Sequence, residues 1–149
     1  IGIARFEILN GTKTVRSFGI ADESVSYGRG EAPSAKGQKK IVEFNNVYIF
    51  TNDWIQHFGG WIKGNTEYIA GDRISMELNM VSKPRTLTFF VNDQEQKNYI
   101  INIPSAVRIW VFLFLSGESF KLLKFEWLLI PSAKHKTGSR ALKWGKKWK

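Results

Sequence analysis

Residues 71–130 constrain the fold most, because they form a series of short β-prone runs separated by turn residues. Every second residue of the segment 74–80 is apolar and the residues between are polar, which is the period of a strand with one solvent-facing side. The next run, Thr86–Val91, is rich in β-branched and aromatic residues and ends at Asn92-Asp93, a dipeptide typical of turns. This part of the chain therefore predicts consecutive strands joined by turns.

The remaining runs extend the same pattern. A short strand is predicted over 99–103, where Pro104 closes it. Residues 107–115 are apolar at both sets of alternating positions, which predicts a central strand covered on both faces, and residues 120–130 supply a last strand before Pro131. The body shows no sustained helical period. We therefore expect an all-β fold, a two-sheet antiparallel sandwich.

The first 70 residues carry weaker signals. Residues 1–9 are β-permissive and meet Asn10-Gly11, which predicts a tight hairpin turn with 15–21 as the returning strand. Glycine, proline, serine and lysine dominate 27–40, which predicts a long loop. A strand is expected over 41–50. The aromatic segment 54–61 is predicted to be a second long loop or an irregular hairpin.

Three motifs in this order resemble the SPRY family, a concanavalin A-like sandwich used for protein recognition. They are Gly71-Asp72-Arg73-Ile74, Thr86-Leu87-Thr88-Phe89-Phe90-Val91-Asn92-Asp93 and Ile101-Asn102-Ile103-Pro104. Upstream, Phe18-Gly19-Ile20-Ala21 and Ser26-Tyr27-Gly28 are similar to the family's earlier strand and loop. The chain departs from the family at Asn79, where Asp is commoner, and at Asp93, where Gly usually closes the hairpin. The resemblance implies a SPRY-like sandwich over 1–130, which we expect to lack the family's first strand and so to leave a sheet edge open.

The charge of the chain is concentrated at its C-terminal end. Residues 1–120 contain 13 Lys and Arg against 12 Asp and Glu, whereas residues 121–149 contain 9 against 1. We therefore predict a nearly neutral sandwich followed by a basic C-terminal extension, 131–149, in which Trp144 and Trp148 are one helical turn apart. Its candidate residues for binding a polyanion (nucleic acid or an anionic surface) are Lys134, Lys136, Arg140, Lys143, Lys146 and Lys147. The alternative is a solvated basic extension with one or two of its tryptophans packed onto the sandwich.

Known catalytic and metal-binding patterns are missing from the sequence. The chain has no cysteine and two histidines, and it contains neither a nucleophile elbow nor a phosphate-binding loop. We therefore expect no catalytic, cofactor-binding or metal-binding residues, and a protein that is not an enzyme. Glu77 is expected on the solvated side of its strand. The lack of cysteine favours a reducing compartment, the cytoplasm or alternatively the nucleus, and no apolar run approaches the roughly 20 residues of a membrane-spanning helix.

The two long loops carry the residue types that most often dominate protein interfaces. The first loop offers Tyr27, Arg29 and Glu31, and the second offers Asp53, Trp54, His57 and Trp61. For Trp54 and Trp61, burial in the core is the alternative. We predict a protein-interaction module that recognises a peptide or a partner surface through these loops. The alternatives are a nucleic-acid or ribonucleoprotein-associated module that uses the basic extension and, less favoured, a carbohydrate-binding lectin-like domain.

Overall fold

The computed structural model describes residues 2–46 and 54–149, which contain strands but no helix. In chain order the strands are β1 Ile3–Asn10, β2 Ser17–Asp22, β3 Ile41–Asn45, β4 Ile55–His57, β5 Gly60–Ile62, β6 Arg73–Asn79, β7 Thr86–Val91, β8 Gln94–Ile101, β9 Val107–Phe112, β10 Phe120–Leu128 and β11 Arg140–Lys143. They form a six-stranded sheet, in the order β10-β1-β6-β7-β8-β11, and a five-stranded sheet, in the order β5-β4-β3-β2-β9. In these parts of the chain, no helix has the length and apolar character needed to cross a membrane.

One hydrophobic core joins the two sheets. The ring of Phe89 on β7 lies edge-on to Phe18 on β2 and to Phe44 on β3, with centroid distances of 5.4 and 5.2 Å. All three side chains are fully buried, and such edge-to-face contacts add to the free energy of burying the rings. The expected all-β, two-sheet architecture is confirmed, and the shared core is of the kind found in a β-sandwich.

The best-predicted region is β7 with the turn that follows it, whereas β8 begins at Gln94, well before the short strand predicted over 99–103. The turn residues Asn92 and Asp93 have φ angles of 49° and 66°, the left-handed values that a tight hairpin turn requires and that Asn and Asp tolerate. The preceding strand, β6, was also predicted correctly, but its solvent-facing side was not. Ser75 and Glu77 are each 1% exposed, because residues 131–135 cross this face of the sheet.

Asn10-Gly11 does not form the predicted hairpin. β1 pairs with β6 and β10, whereas β2 pairs with β3 and β9, so the two strands belong to different sheets. Neither residue has a positive φ angle. The Asn10 side chain instead accepts a hydrogen bond from Val15 N at 3.2 Å and donates one to Ile69 O at 3.2 Å, which stabilises the crossing between the sheets.

The prediction of a central strand over 107–115 is wrong. β9 pairs only with β2 and lies at the edge of the five-stranded sheet, where most of its side chains are partly exposed. The last predicted strand, β10, lies at the edge of the other sheet and pairs only with β1. A strand with apolar residues on both faces is buried on both faces only if other strands and layers cover it. The local sequence does not show whether they do.

The residues predicted as a basic C-terminal extension contact the sandwich closely. β11 pairs in parallel with β8, and the side chains of Leu142 and Trp148, each 5% exposed, belong to the main hydrophobic cluster. Trp144 packs against the same cluster, and no helix contains it. Residues 140–148 are therefore part of the sheet and its core, and the parallel pair departs from the expected antiparallel pattern.

Candidate functional site

The outer face of the five-stranded sheet carries the most distinctive arrangement of side chains outside the core. Strand register places five residues in one row across all five strands. In order they are Trp110, Gly19, Glu43, Gln56 and Trp61. Because side chains alternate along a strand, this row faces away from the core that Phe18 and Phe44 enter. We call this row, with the neighbouring Trp54 and Tyr27, the five-strand face.

At one side of this face two tryptophans stack on each other. The rings of Trp54 and Trp61 have centroids 4.0 Å apart with an interplanar angle of 27°. Trp54 is 8% exposed, whereas Trp61 is 53% exposed. The inner ring therefore supports the outer one, which presents a large, rigid aromatic surface to solvent. Of the two readings offered by the sequence, burial holds for Trp54 and exposure for Trp61.

At the other side, Tyr27 and Trp110 line a small cavity of about 190 Å³ together with Glu31, Pro33, Val111 and Phe112. The Tyr27 hydroxyl donates to Pro33 O at 2.8 Å, and its ring packs with Trp110 against the buried Ala21, Val25 and Ile41. The indole N–H of Trp110 is buried and has no acceptor among the described residues. This end of the face is a preformed pocket with both apolar and polar lining.

The middle of the face is polar and is formed by Gly19, Glu43 and Gln56. Glycine is required at position 19, because its neighbours leave no room for a side chain: a methyl group there would lie 1.8 Å from Val42 O and 3.0 Å from Cζ2 of Trp110. Burial raises the pKa of Glu43 above its ordinary value. Burial also raises the pKa of Tyr27, and the negative charges of Glu43 and Glu31 raise it further. The centre of the face therefore carries a largely buried carboxyl group, and its contacts with Ser17, Asn45 and Arg16 oppose the effect of burial on its pKa.

Two residues predicted from the first loop lie at the margin of this face. Glu31 accepts a hydrogen bond from Gly28 N and pairs with Lys36 at 3.3 Å, so it holds the loop in shape as well as lining the cavity. Arg29 is exposed on the same loop. The loop carries no strand over 27–40, as predicted.

His57 lies in the interior, not on the predicted binding surface. Its side chain is fully buried, and its ring lies 4.5 Å from that of Trp144 and 5.1 Å from that of Trp148, between centroids. It cannot reach a partner at the surface, because β4 turns it toward the core side of the sheet. Asp53, the remaining predicted residue of this loop, falls outside the described residues.

The six cations proposed for polyanion binding are all exposed. They do not form one stripe, because Arg140 and Lys143 are three positions apart on β11 and so point to opposite faces of that strand. Arg140 also donates to the carbonyl oxygen of Lys149 at 2.6 Å. The C-terminal segment is thus basic on several sides.

In residues 2–46 and 54–149, no three His, Asp or Glu side chains are placed to hold a metal ion. Sequence reasoning missed Trp110, Glu43 and Gln56. Trp110 was assigned to a covered central strand, and only the pairing of β2, β3 and β9 reveals that the three residues share a row. No family model matches the chain, and no curated protein or solved structure matches it.

Proposed function

We propose that this chain is a non-catalytic protein-interaction module, SPRY-like in type, that recognises a peptide or partner surface through the five-strand face. The observation that carries the proposal is the row with an exposed aromatic platform at one end, a pocket at the other and a carboxyl group between them. Trp, Tyr and Arg dominate the energy of many protein interfaces because each offers contact area together with a polar group.

The spacing of the row suggests what a partner contains. Adjacent strands are about 4.8 Å apart, so the row from Trp61 to Trp110 spans about 19 Å, the length of about six residues of extended chain. A fitting peptide has an apolar or aromatic residue at each end and a hydrogen-bond donor or basic residue between them. The residue at one end of the peptide stacks on Trp61. The other enters the cavity, where a partner oxygen would pair with the Trp110 indole, and the central donor meets Glu43.

The proposal is tested by selecting peptides from a random displayed library against the intact chain and measuring their affinity by calorimetry. Trp61→Ala removes an exposed ring and is expected to weaken binding at least about tenfold. Glu43→Gln keeps the shape of the side chain and is expected to weaken peptides with a central basic residue more than peptides with a neutral one.

Val81→Ala is the control, since Val81 is 53% exposed, as Trp61 is, but follows β6 in the other sheet. This control is expected to leave peptide affinity unchanged. Equal losses in Trp61→Ala and Val81→Ala, or no loss in either, would contradict the assignment of binding to the five-strand face.

The second candidate is a nucleic-acid or ribonucleoprotein-associated module, and the exposure of all six C-terminal cations favours it. Deleting residues 131–149 cannot test it, because Leu142 and Trp148 belong to the core. The double variant Lys146→Ala/Lys147→Ala tests it with the fold intact. Binding that depends on these lysines falls steeply between about 0.05 and about 0.3 M salt, whereas binding to the five-strand face changes little.

A further inference from the structure

The free edge of β10 carries several large apolar side chains that are uncovered in the described structure. Among the described residues β10 pairs with β1 alone, and its core-facing side chains are exposed, with Leu122 at 53%, Phe125 at 61% and Trp127 at 68%. A cavity of about 490 Å³ opens beside them and is lined mostly by apolar residues of β1, β6, β9 and β10. The six-stranded sheet therefore extends at β10 past the edge of the five-stranded sheet. β10 has unpaired backbone groups and exposed apolar side chains, which are the features of a strand that pairs with another chain.

The opposite face of β10 carries Lys121, Lys124 and Glu126. Lys124 and Glu126 are two residues apart, on either side of Phe125, and so share this face. Across the β1 pair, Lys124 lies opposite Glu7, Glu126 lies opposite Arg5 and Lys121 lies opposite Leu9. Lys124 and Glu126 are thus each next to an opposite charge on β1, and around Phe125 the free edge presents a cation and an anion in alternation.

We propose that a second copy of this chain pairs with β10 in antiparallel orientation, with a two-fold axis at Phe125. In this register Lys124 lies opposite Glu126 of the partner subunit, and the reciprocal pair forms by symmetry. The charges then alternate across four strands, from Glu7 through Lys124 to Glu126 of the partner subunit and Arg5 of the partner subunit. On the apolar face Phe125 meets its own copy.

The charge pattern favours a second copy over an unrelated partner. An edge with charges of one sign selects a partner of the other sign, whereas a cation and an anion placed symmetrically about one residue are complementary to themselves. The pairing is also limited in length, because the β1–β10 register shifts between Glu7 and Ile8. Such an irregularity bends the strand and interrupts the ladder, which favours a closed dimer over continued addition of chains.

Charge exchange at the two positions tests the proposal on the full chain. We expect sedimentation equilibrium to show a dimer for the wild type. Lys124→Glu alone and Glu126→Lys alone each place like charges opposite each other twice, and each is expected to weaken the dimer at least about tenfold. The double variant Lys124→Glu/Glu126→Lys restores opposite charges, so its dimer affinity should return to within about threefold of the wild type.

An equimolar mixture of the two single variants provides an independent measurement. In this register the introduced glutamate of one variant lies opposite the introduced lysine of the other, and the unchanged Glu126 and Lys124 lie opposite each other at the symmetric position. The mixture is therefore expected to form a heterodimer although each variant alone does not. Lys97→Glu, which changes an exposed residue on β8, is the control and should leave the dimer intact. Thermal melting verifies that each variant is folded. A monomeric wild type, larger aggregates, or single variants that dimerise like the wild type would overturn the proposal.

Discussion

Nε2 of His57 accepts the backbone N–H of Gly145 at 2.8 Å, although the two residues are 88 positions apart. Nδ1 of the same ring lies 2.6 Å from the carbonyl oxygen of Ile41, which accepts only, so Nδ1 carries the proton and donates it. The ring is thereby fixed as one neutral tautomer. Through it, the C-terminal segment is attached to the β3–β4 region of the five-stranded sheet.

This contact predicts a pH dependence of stability. Burial lowers the pKa of His57 below its ordinary value of 6.5 and outweighs the hydrogen bond to Ile41. His57 therefore binds a proton more readily in the unfolded chain than in the folded chain. Its contribution to stability is fully present above pH 6.5 and is lost as the pH falls towards the lower pKa of the folded state. The free energy of unfolding should therefore decrease from about pH 7 to about pH 5.5, as measured by urea denaturation.

The variant His57→Gln removes this titrating group and is expected to flatten the decrease. His135→Gln is the matched control, and the pH dependence should persist in it. A decrease of the same size in His57→Gln and in the wild type would show that other groups produce the effect.

Truncating Trp148 should destabilise the fold strongly. Its side chain is 5% exposed and its indole N–H donates to Lys143 O at 2.9 Å, so Trp148→Ala removes a buried ring and leaves a cavity. We expect a loss of about 3–5 kcal/mol in the free energy of unfolding. Trp61→Ala, the same change at a half-exposed position, should cost much less. If the two variants lose equal stability in urea denaturation, residues 140–148 are not part of the core.

Glu77 is expected to stabilise the segment that covers the six-stranded sheet. It is 1% exposed, and its carboxylate accepts the backbone N–H groups of Ser132 and Ala133 at 3.1 and 3.2 Å. Glu77→Ala leaves both donors without that acceptor, and we expect a loss of about 2–4 kcal/mol. Glu23→Ala, at an exposed carboxylate, should change the free energy of unfolding by less than about 0.5 kcal/mol. A loss in Glu77→Ala no larger than in this control would contradict the assignment.

Asn92 combines two roles in the β7–β8 turn that substitution can separate. It has a φ angle of 49°, and its side chain accepts from Arg73 N and donates to Asp72, both at 2.9 Å. Asn92→Gly relieves the backbone cost but loses both hydrogen bonds, whereas Asn92→Ala loses the bonds and adds strain of about 1 kcal/mol. Thermal denaturation should rank the wild type first, then the glycine variant, then the alanine variant. If the alanine variant is at least as stable as the glycine variant, the positive φ angle at position 92 does not strain the backbone.

The strands that could be predicted are those whose identity depends on local pattern. β6, β7 and the turn at Asn92 follow from period and turn chemistry, because neighbouring residues alone decide them. The sheet to which a strand belongs does not follow from the local pattern. β1 pairs with β10 across more than 100 residues of chain, and nothing in Asn10-Gly11 indicates that the next strand crosses to the other sheet.

The candidate site was predictable in residue type and only partly in place. Trp54 and Trp61, on either side of Gly59-Gly60, were expected on the binding surface or alternatively in the core, and their rings are stacked on each other. His57 was misassigned, because a histidine between aromatic residues in a loop-like segment resembles a surface residue until the C-terminal segment covers it. Glu43 and Trp110 required the register of three strands that are far apart in sequence.

The indole N–H signals of the six tryptophans, recorded by nuclear magnetic resonance with and without a selected peptide, test the location of the recognition surface most directly. Each signal is assigned by the corresponding single substitution. We predict that the signals of Trp61 and Trp110 shift on binding while those of Trp144 and Trp148 stay in place. Shifts at Trp144 and Trp148 with unchanged signals at Trp61 and Trp110 would contradict recognition through the five-strand face.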